Sequence, residues 1–405
     1  MKYIVVLGDG MADWKISALG DKTCLEAAST PNLDKLAPHS EVGLCKTVPD
    51  GMKPGSDVAN MSVMGFNPKT YYTGRSPLEA VSMGINLTDT DVTLRCNLVT
   101  LSDGEPYENK IMEDYSAGEI TTEEAAELIN YLKGFFDDEK FTFYPGISYR
   151  HCLVVKNGST GHGLTPPHDI SDKPVTGHLP TGKDADIYLG FMKRSYELLK
   201  SHPVNLKRIA EGKNPANSIW LWGEGTKPAI DNFERLHELK GGVISAVDLV
   251  KGIGIIAGMK CIDVKGATGD YHTDFKAKAE TACDALLNGG LDYVYIHMEA
   301  PDECGHHGDP KHKIYSIEQI DGKVVKTVLE RLKNIPFTML VCPDHPTPCA
   351  CKTHTSDPIP YLIYSNAEDL GNGAVRYTES EAAKTGKYLP EGRLLIDRLL
   401  SLSAK

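Results

Sequence analysis

Six residues carry the chemistry that this sequence offers most openly: Asp9, Asp302, His306, Asp344, His345 and His354. Asp302 and His306 stand four apart in Ala300-Pro301-Asp302-Glu303-Cys304-Gly305-His306. On a helical turn both side chains fall on one face and can share a cation. A carboxylate with an imidazole suits Mn²⁺, Zn²⁺ or Fe²⁺ better than Ca²⁺. The pair is too small to hold a metal alone. Cys342-Pro343-Asp344-His345, His354-Thr355-Ser356-Asp357-Pro358 and Gly8-Asp9-Gly10 offer the remaining ligands.

The elements that must position them are apolar runs. Tyr293-Val294-Tyr295-Ile296, Phe337-Thr338-Met339-Leu340-Val341 and Tyr3-Ile4-Val5-Val6-Leu7 read as buried parallel strands. Each ends in an acid or an acid–histidine pair. In open α/β sheets, ligands gather beyond the carboxyl ends of the strands. One sheet would therefore bring all six residues to one rim.

Helices are expected at Pro31–Leu36 with Thr30 as N-cap, and over Asp57 to Met64, Asp184 to Lys200, Val247 to Ala257, Ala277 to Leu287, Ile317 to Leu332 and Arg393 to Leu400. Thr121-Thr122-Glu123-Glu124 reads as a capping box. Strands and helices mix irregularly between residues 76 and 230, as in an α+β module. Regular α/β alternation resumes after it. The expected fold is α/β, a mostly parallel sheet covered by helices. It is built from residues 1–75 and 231–405, with 76–230 as an inserted α+β domain.

The chain has 405 residues, enough for two domains, and a net charge of −12. That balance argues against a nucleic-acid partner, which usually meets a basic domain. No apolar run reaches the length of a membrane span, and the N-terminus lacks a secretory pattern, so no membrane partner is expected. Ten cysteines scattered through the chain suggest reduced thiols and a cytoplasmic location. Cys342, Cys349 and Cys351 cluster but lack zinc-ribbon spacing. Gly252-Ile253-Gly254 falls inside a predicted helix, the wrong context for a dinucleotide fingerprint.

Ser56 follows a Pro- and Gly-rich loop and opens the Asp57 helix. It has two readings. It is an N-cap, or a nucleophile whose anion the helix N-terminus stabilises. The ligands divide into Asp302, His306 and His354 around one metal and Asp9, Asp344, His345 and Ser56 around another. Two adjacent cations clamp a phosphoryl group and stabilise its entering and leaving oxygens. A metal-bound serine hydroxyl is acidified into a nucleophile.

Gly8-Asp9-Gly10-Met11, Pro54-Gly55-Ser56-Asp57, Ala300–His306, Pro343-Asp344-His345 and His354–Pro358 occur in the order seen in the alkaline phosphatase superfamily. With Gly74–Ala80, Tyr149-Arg150-His151 and Trp222-Gly223-Glu224-Gly225, the whole chain resembles the archaeal-type branch of cofactor-independent phosphoglycerate mutase. The resemblance implies an alkaline-phosphatase-like core and an isomerase of glycolysis and gluconeogenesis. It implies two divalent ions, usually Mn²⁺, with Zn²⁺, Co²⁺ or Mg²⁺ as substitutes, and no 2,3-bisphosphoglycerate. Ser56 would take the phosphate of 3-phosphoglycerate as a phosphoserine intermediate and return it to the 2-hydroxyl. The retained glycerate would need shielding from water by closure of the inserted domain. For this small phosphorylated carboxylate the expected binding residues are Arg75, Arg95, Arg150, His151, His168 and Lys276, with Asp169 as acid or base. The Gly-Ser-Asp nucleophile loop departs from the Asn-Ser-Glu of the larger bacterial mutase. A homoserine kinase-like phosphotransferase, a metallophosphatase and a metal-dependent binding protein are the alternatives.

Overall fold

β1 (Lys2–Gly8) lies inside the larger sheet, between β5 (Tyr293–Met298) and β6 (Phe337–Cys342), and is parallel to both. The remaining strands of that sheet are β2 (Glu41–Cys45), β3 (Gly241–Ile244), β4 (Lys260–Cys261), β7 (Ile359–Ser365) and β8 (Tyr388–Leu389). Their order is β8-β2-β7-β6-β1-β5-β3-β4. Only β7 runs antiparallel to its neighbours, β6 and β2. The sheet is thus mostly parallel. All six residues of β5 and of β6 are buried, as the continuous apolar runs require of strands covered on both faces.

The computed structural model describes residues 1–104 and 106–402. The chain divides into two compact units: unit 1 is Met1–Tyr72 with the chain from Ile230 onward, and unit 2 is Thr73–Ala229. Unit 2 holds five antiparallel strands, Val92–Leu101, Met112–Asp114, Phe141–Tyr144, Arg150–Val155 and Ser218–Thr226, with helices at Thr122–Phe136 and Ala185–Leu199. Its core includes Leu94, Leu98, Leu128, Ile129, Phe143 and Trp220. Thr121 caps the first of these helices through the Glu124 amide, and the helix runs on to Phe136.

Five helices of unit 1 matter below: α1 (Pro31–Leu36), α2 (Ser56–Val63), α3 (Phe275–Leu287), α4 (Ala300–His307) and α5 (Pro310–Gln319). Thr30 precedes α1, but its side chain makes no capping bond. The cap comes instead from Asp321, whose carboxylate accepts from the Asn32 and Leu33 amides at 3.2 and 2.8 Å. Asp321 lies on a π-helical turn, Ile320–Val325, that continues α5. Gly254 sits inside its helix, as read, and lets that helix press on β3: an added Cβ would meet Val243 at 2.6 Å.

One buried ion pair joins the loops that leave β1 and β6. The Lys313 ammonium, on α5, donates to Asp13 Oδ2 at 2.8 Å, the Ala12 carbonyl at 3.1 Å and the Thr347 carbonyl at 2.8 Å. Neither side chain is exposed. Removing one partner of such a pair leaves a buried charge uncompensated. We expect Lys313→Ala to lower unfolding stability by about 3–5 kcal/mol, measured by urea denaturation. A loss below about 1 kcal/mol, the range of an exposed pair, would show that water reaches Asp13.

Candidate active site

Three neighbouring parallel strands deliver the acids. Asp9 directly follows β1, its amide bonded to the Met298 carbonyl at the end of β5 at 2.9 Å. Asp302 and His306 lie on α4, one turn apart, just after β5. Asp344 and His345 follow β6. Gly10 has a φ of +59°, and a Cβ there would stand 2.6 Å from Asp302 Oδ1, so only glycine fits this close approach.

One set of ligand atoms converges on His345. Its Nε2 lies 3.2 Å from Ser56 Oγ, 3.2 Å from Asp344 Oδ2 and 3.7 Å from Asp9 Oδ1. Ser56 is the first residue of α2; Gly55 is the N-cap, and the serine side chain makes no capping bond. Of the two readings of Ser56, the capping one therefore fails: its hydroxyl points at His345. Asp344 is fixed by the Gly10 and His345 amides at 3.1 and 2.8 Å and by Asn60 Nδ2 at 2.8 Å. Burial, then the charges of Asp344, Glu299 and Asp302, push the Asp9 carboxyl well above the usual range. Its Oδ1 is buried without a hydrogen-bond partner. Asp9, Asp344 and His345 place one ligand atom each within 4.8 Å of one another, and carboxylates with an imidazole are a donor set that suits a divalent cation.

The second set surrounds Asp302. His306 Nε2 stands 3.2 Å from Asp302 Oδ2 and 2.9 Å from His354 Nε2, and His354 Nε2 is 3.5 Å from Asp302 Oδ1. The hydrogen bond to Asp302 raises His306 to about 9, outweighing burial. Burial raises Asp302, but bonds to His306 and His354 hold it well below the usual range. The His306 Nδ1 is bound to the Lys352 carbonyl at 3.0 Å, which turns Nε2 toward the acid. Asp302, His345 and His354 also group within metal-ligand range, and the His345 and His354 rings lie 4.1 Å apart, so the two sets are contiguous.

Sequence reading missed the residues behind these ligands. His297, buried on β5, places Nε2 2.8 Å from Asp9 Oδ2 and Nδ1 3.1 Å from Ser245 Oγ. Burial lowers it to about 3, so it is a neutral imidazole. Thr347 donates its hydroxyl to Asp302. Asn60 is held by the Tyr295 hydroxyl at 2.7 Å. The signals were available: Asn60 is four residues after Ser56 on one helix, and His297 is a polar residue in an otherwise apolar strand. Cys342, Cys349 and Cys351 form no joint cluster among the described residues; Cys349 instead meets Cys24 and Asp13.

The expected substrate contacts separate into those that gather and those that do not. In unit 2, Arg75 Nε and Arg95 Nε lie 2.8 and 2.9 Å from the two oxygens of Glu79. The Arg95 guanidinium covers Trp222 at 4.1 Å, and the His168 ring meets the same indole at 5.2 Å. Asp169 Oδ1 stands 3.7 Å from His168 and is largely exposed. His151 does not join them. Adjacent strand residues point to opposite faces; Arg150 is exposed, whereas His151 is buried and accepts from the Gly146 amide at 3.0 Å. Lys276 is also set apart, exposed on α3 and paired with Glu280 at 3.3 Å. The inward lysine of that helix is Lys278, bonded to the His297 carbonyl at 3.1 Å and lowered by burial to about 8.

Comparison with known proteins places these features in a family. The sequence profile described as 2,3-bisphosphoglycerate-independent phosphoglycerate mutase matches residues 37–205. A protein of that name from Methanosarcina barkeri is 49% identical over 403 residues, covering 99% of each chain. A "probable" one from Geobacter sulfurreducens is 46% identical over 401 residues, covering 99% of this chain and 100% of its own. The solved cofactor-independent phosphoglycerate mutase of Thermoplasma acidophilum aligns over 100% of both chains with a TM-score of 0.69 and 25% identity. With near full-length identity at this level, the chain belongs to the family of 2,3-bisphosphoglycerate-independent phosphoglycerate mutases.

Proposed function

We propose that this protein interconverts 3-phosphoglycerate and 2-phosphoglycerate through phosphorylation of Ser56. The observation that carries the proposal is the uncapped Ser56 hydroxyl, 3.2 Å from His345 Nε2, an imidazole nitrogen that also stands 3.7 Å from the orphaned Asp9 oxygen. In this reading unit 1 is the metal-binding core and unit 2 the substrate-binding domain. Asp9, Ser56, Asp344 and His345 hold one divalent ion and Asp302, His306 and His354 the other, with Mn²⁺ the ion we favour for this mixed carboxylate–imidazole set. When bound, the two ions neutralise the phosphoryl charge and acidify the serine hydroxyl.

The chain's own groups do the rest. Ser56 Oγ attacks phosphorus in line with the ester oxygen; the ester P–O bond breaks, the proton given up by Ser56 passes to the leaving 3-oxygen, and glycerate stays bound while the phosphoryl group is on the serine. The start of α2 favours the negative charge placed there. His297 and Asn60 hold Asp9 and Asp344, so neither carboxylate must reorganise as charge develops. The glycerate 2-hydroxyl then attacks phosphoserine and restores Ser56. Arg75, Arg95, Arg150 and His168 are the groups we assign to the substrate's oxyanions, because Arg forks match carboxylates and phosphates. Ten free thiols fit a reducing compartment, and we place the activity in the cytoplasm.

Phosphorus NMR of 3-phosphoglycerate with the Mn²⁺-loaded protein, without 2,3-bisphosphoglycerate, is expected to show the 2-phosphoglycerate signal. Free phosphate alone would replace the mutase with a phosphatase. Ser56→Ala is expected to reduce turnover by about a thousandfold or more while metal remains bound; full activity in that variant would falsify the covalent route. His306→Ala and His345→Ala are each expected to lose about one metal equivalent by elemental analysis. Unchanged stoichiometry in either removes that residue from the ligand set.

A further inference from the structure

Glu79 is a carboxylate among three arginines, and nothing above gives it a task. It lies on the helix Ser76–Ser82 of unit 2, with its side chain only 19% exposed. One oxygen takes Arg75 Nε and the other Arg95 Nε. Burial pushes its carboxyl up, but Arg95, Arg75 and Arg150 together hold it below the usual range. A carboxylate that only balanced charge would need no such division of its two oxygens.

Arg95 is fixed on three sides. Glu79 holds its Nε. The Trp222 indole lies under its guanidinium face, and that indole is itself locked by donation from Nε1 to Asn97 Oδ1 at 2.9 Å. Gly223 makes room for the stem: it has a φ of +61°, and a Cβ there would sit 3.3 Å from Arg95 Cδ. The strand pairing slips beside it, Thr93 facing Gly225 but Arg95 facing Trp222, so one extra residue bulges out. Such bulges re-aim side chains. The outcome is an arginine whose terminal Nη groups carry no hydrogen bond among the described residues. An Arg fork held this rigidly is preorganised for two parallel bonds to a planar oxyanion.

We propose that Glu79 is a positioning residue for the mutase reaction: through its bond to Nε it aims the Arg95 fork at the carboxylate of glycerate, retaining that intermediate while the phosphoryl group is on the enzyme. This rests on the mutase reading. A carboxylate held by Arg95 cannot leave between the two transfers, and a misaimed Arg95 lets glycerate escape, after which water resolves the phosphoserine.

The test uses the full-length, Mn²⁺-loaded protein with Glu79→Gln, Glu79→Asp and Arg95→Lys. Binding of 3-phosphoglycerate is followed by calorimetry, products by phosphorus NMR, and folding by metal content and thermal midpoint. Glu79→Gln is expected to weaken 3-phosphoglycerate binding at least tenfold and to raise the ratio of free phosphate to 2-phosphoglycerate at least fivefold. Glu79→Asp should recover part of both. Arg95→Lys, which keeps the charge and loses the fork, should match Glu79→Gln. Binding and product ratio within twofold of wild type in folded Glu79→Gln overturns the proposal; so does a wild-type ratio in Arg95→Lys, the arm that decides if Glu79→Gln does not fold. Wild-type protein that binds 3-phosphoglycerate but makes no 2-phosphoglycerate fails the mutase reading instead. Whether the phosphoryl group then goes to water or is not transferred at all, no glycerate is retained for a second transfer, and Glu79's proposed role falls with the mutase reading, whatever the binding arm shows.

Discussion

Negative charge, gathered where water cannot screen it, is the constraint on which unit 1 depends. Asp9, Asp302 and Asp344 are all buried, and they meet because β1, β5 and β6 are adjacent and parallel. The sheet can be written in Val, Ile, Leu and Tyr because its strands are covered on both faces. Its carboxyl edge then has to absorb three acids. The protein supplies imidazoles, amides and hydroxyls, but the nearest ammonium groups are spoken for: Lys313 is bound to Asp13 and Lys278 to a carbonyl. What remains is a shortage of positive charge beside three buried acids, a setting that suits divalent metal ions.

Unit 2 meets the opposite problem with the opposite device. It has several cations close together, and one carboxylate, Glu79, keeps two of them from repelling each other into solvent. Asp9 and Asp344 are fixed by backbone amides and neutral side chains, and Asp302 by Thr347, His306 and His354. The arginines of unit 2 are fixed by ionic contact and by stacking on Trp222. Each arrangement leaves polar atoms without a protein hydrogen bond among the described residues: the buried Asp9 Oδ1 in one and the Arg95 Nη groups in the other.

The sequence made the three buried strands and their terminal acids legible, because apolar runs ending in Asp are a strong local pattern. β2 was not read: Glu-Val-Gly-Leu-Cys alternates over only Val42 and Leu44 and holds no apolar run, and its Glu41 is held in the fold by the Tyr361 hydroxyl at 2.9 Å and by Arg398. That the Ser56 hydroxyl is free of capping depended on Gly55 taking the cap position, a backbone detail that composition does not encode. Lys276 and His151 are different, because periodicity already held the answer. Phe275, Ala279, Ala282 and Leu286 mark the buried face of α3, and that face includes Lys278 rather than Lys276. In a strand, Arg150 and His151 cannot share a face. The Asp321 cap on α1 joins residues far apart in the chain and could not be read at all.

The position of β1 has a consequence for how the molecule comes into being. Its partners are residues 293–298 on one side and 337–342 on the other, so Tyr3 pairs with Tyr293 and Thr338. β1 must therefore wait, with its apolar residues uncovered, until the chain has been synthesised through residue 342. Unit 2 is continuous in sequence and closes its own sheet meanwhile. Domains fold as units during synthesis, and pairings of long sequence separation form late. Asp9 thus acquires His297, Asp302 and Asp344 as neighbours only after residue 344 has been made. A nascent chain that has not yet reached His354 cannot assemble the paired ligand sets.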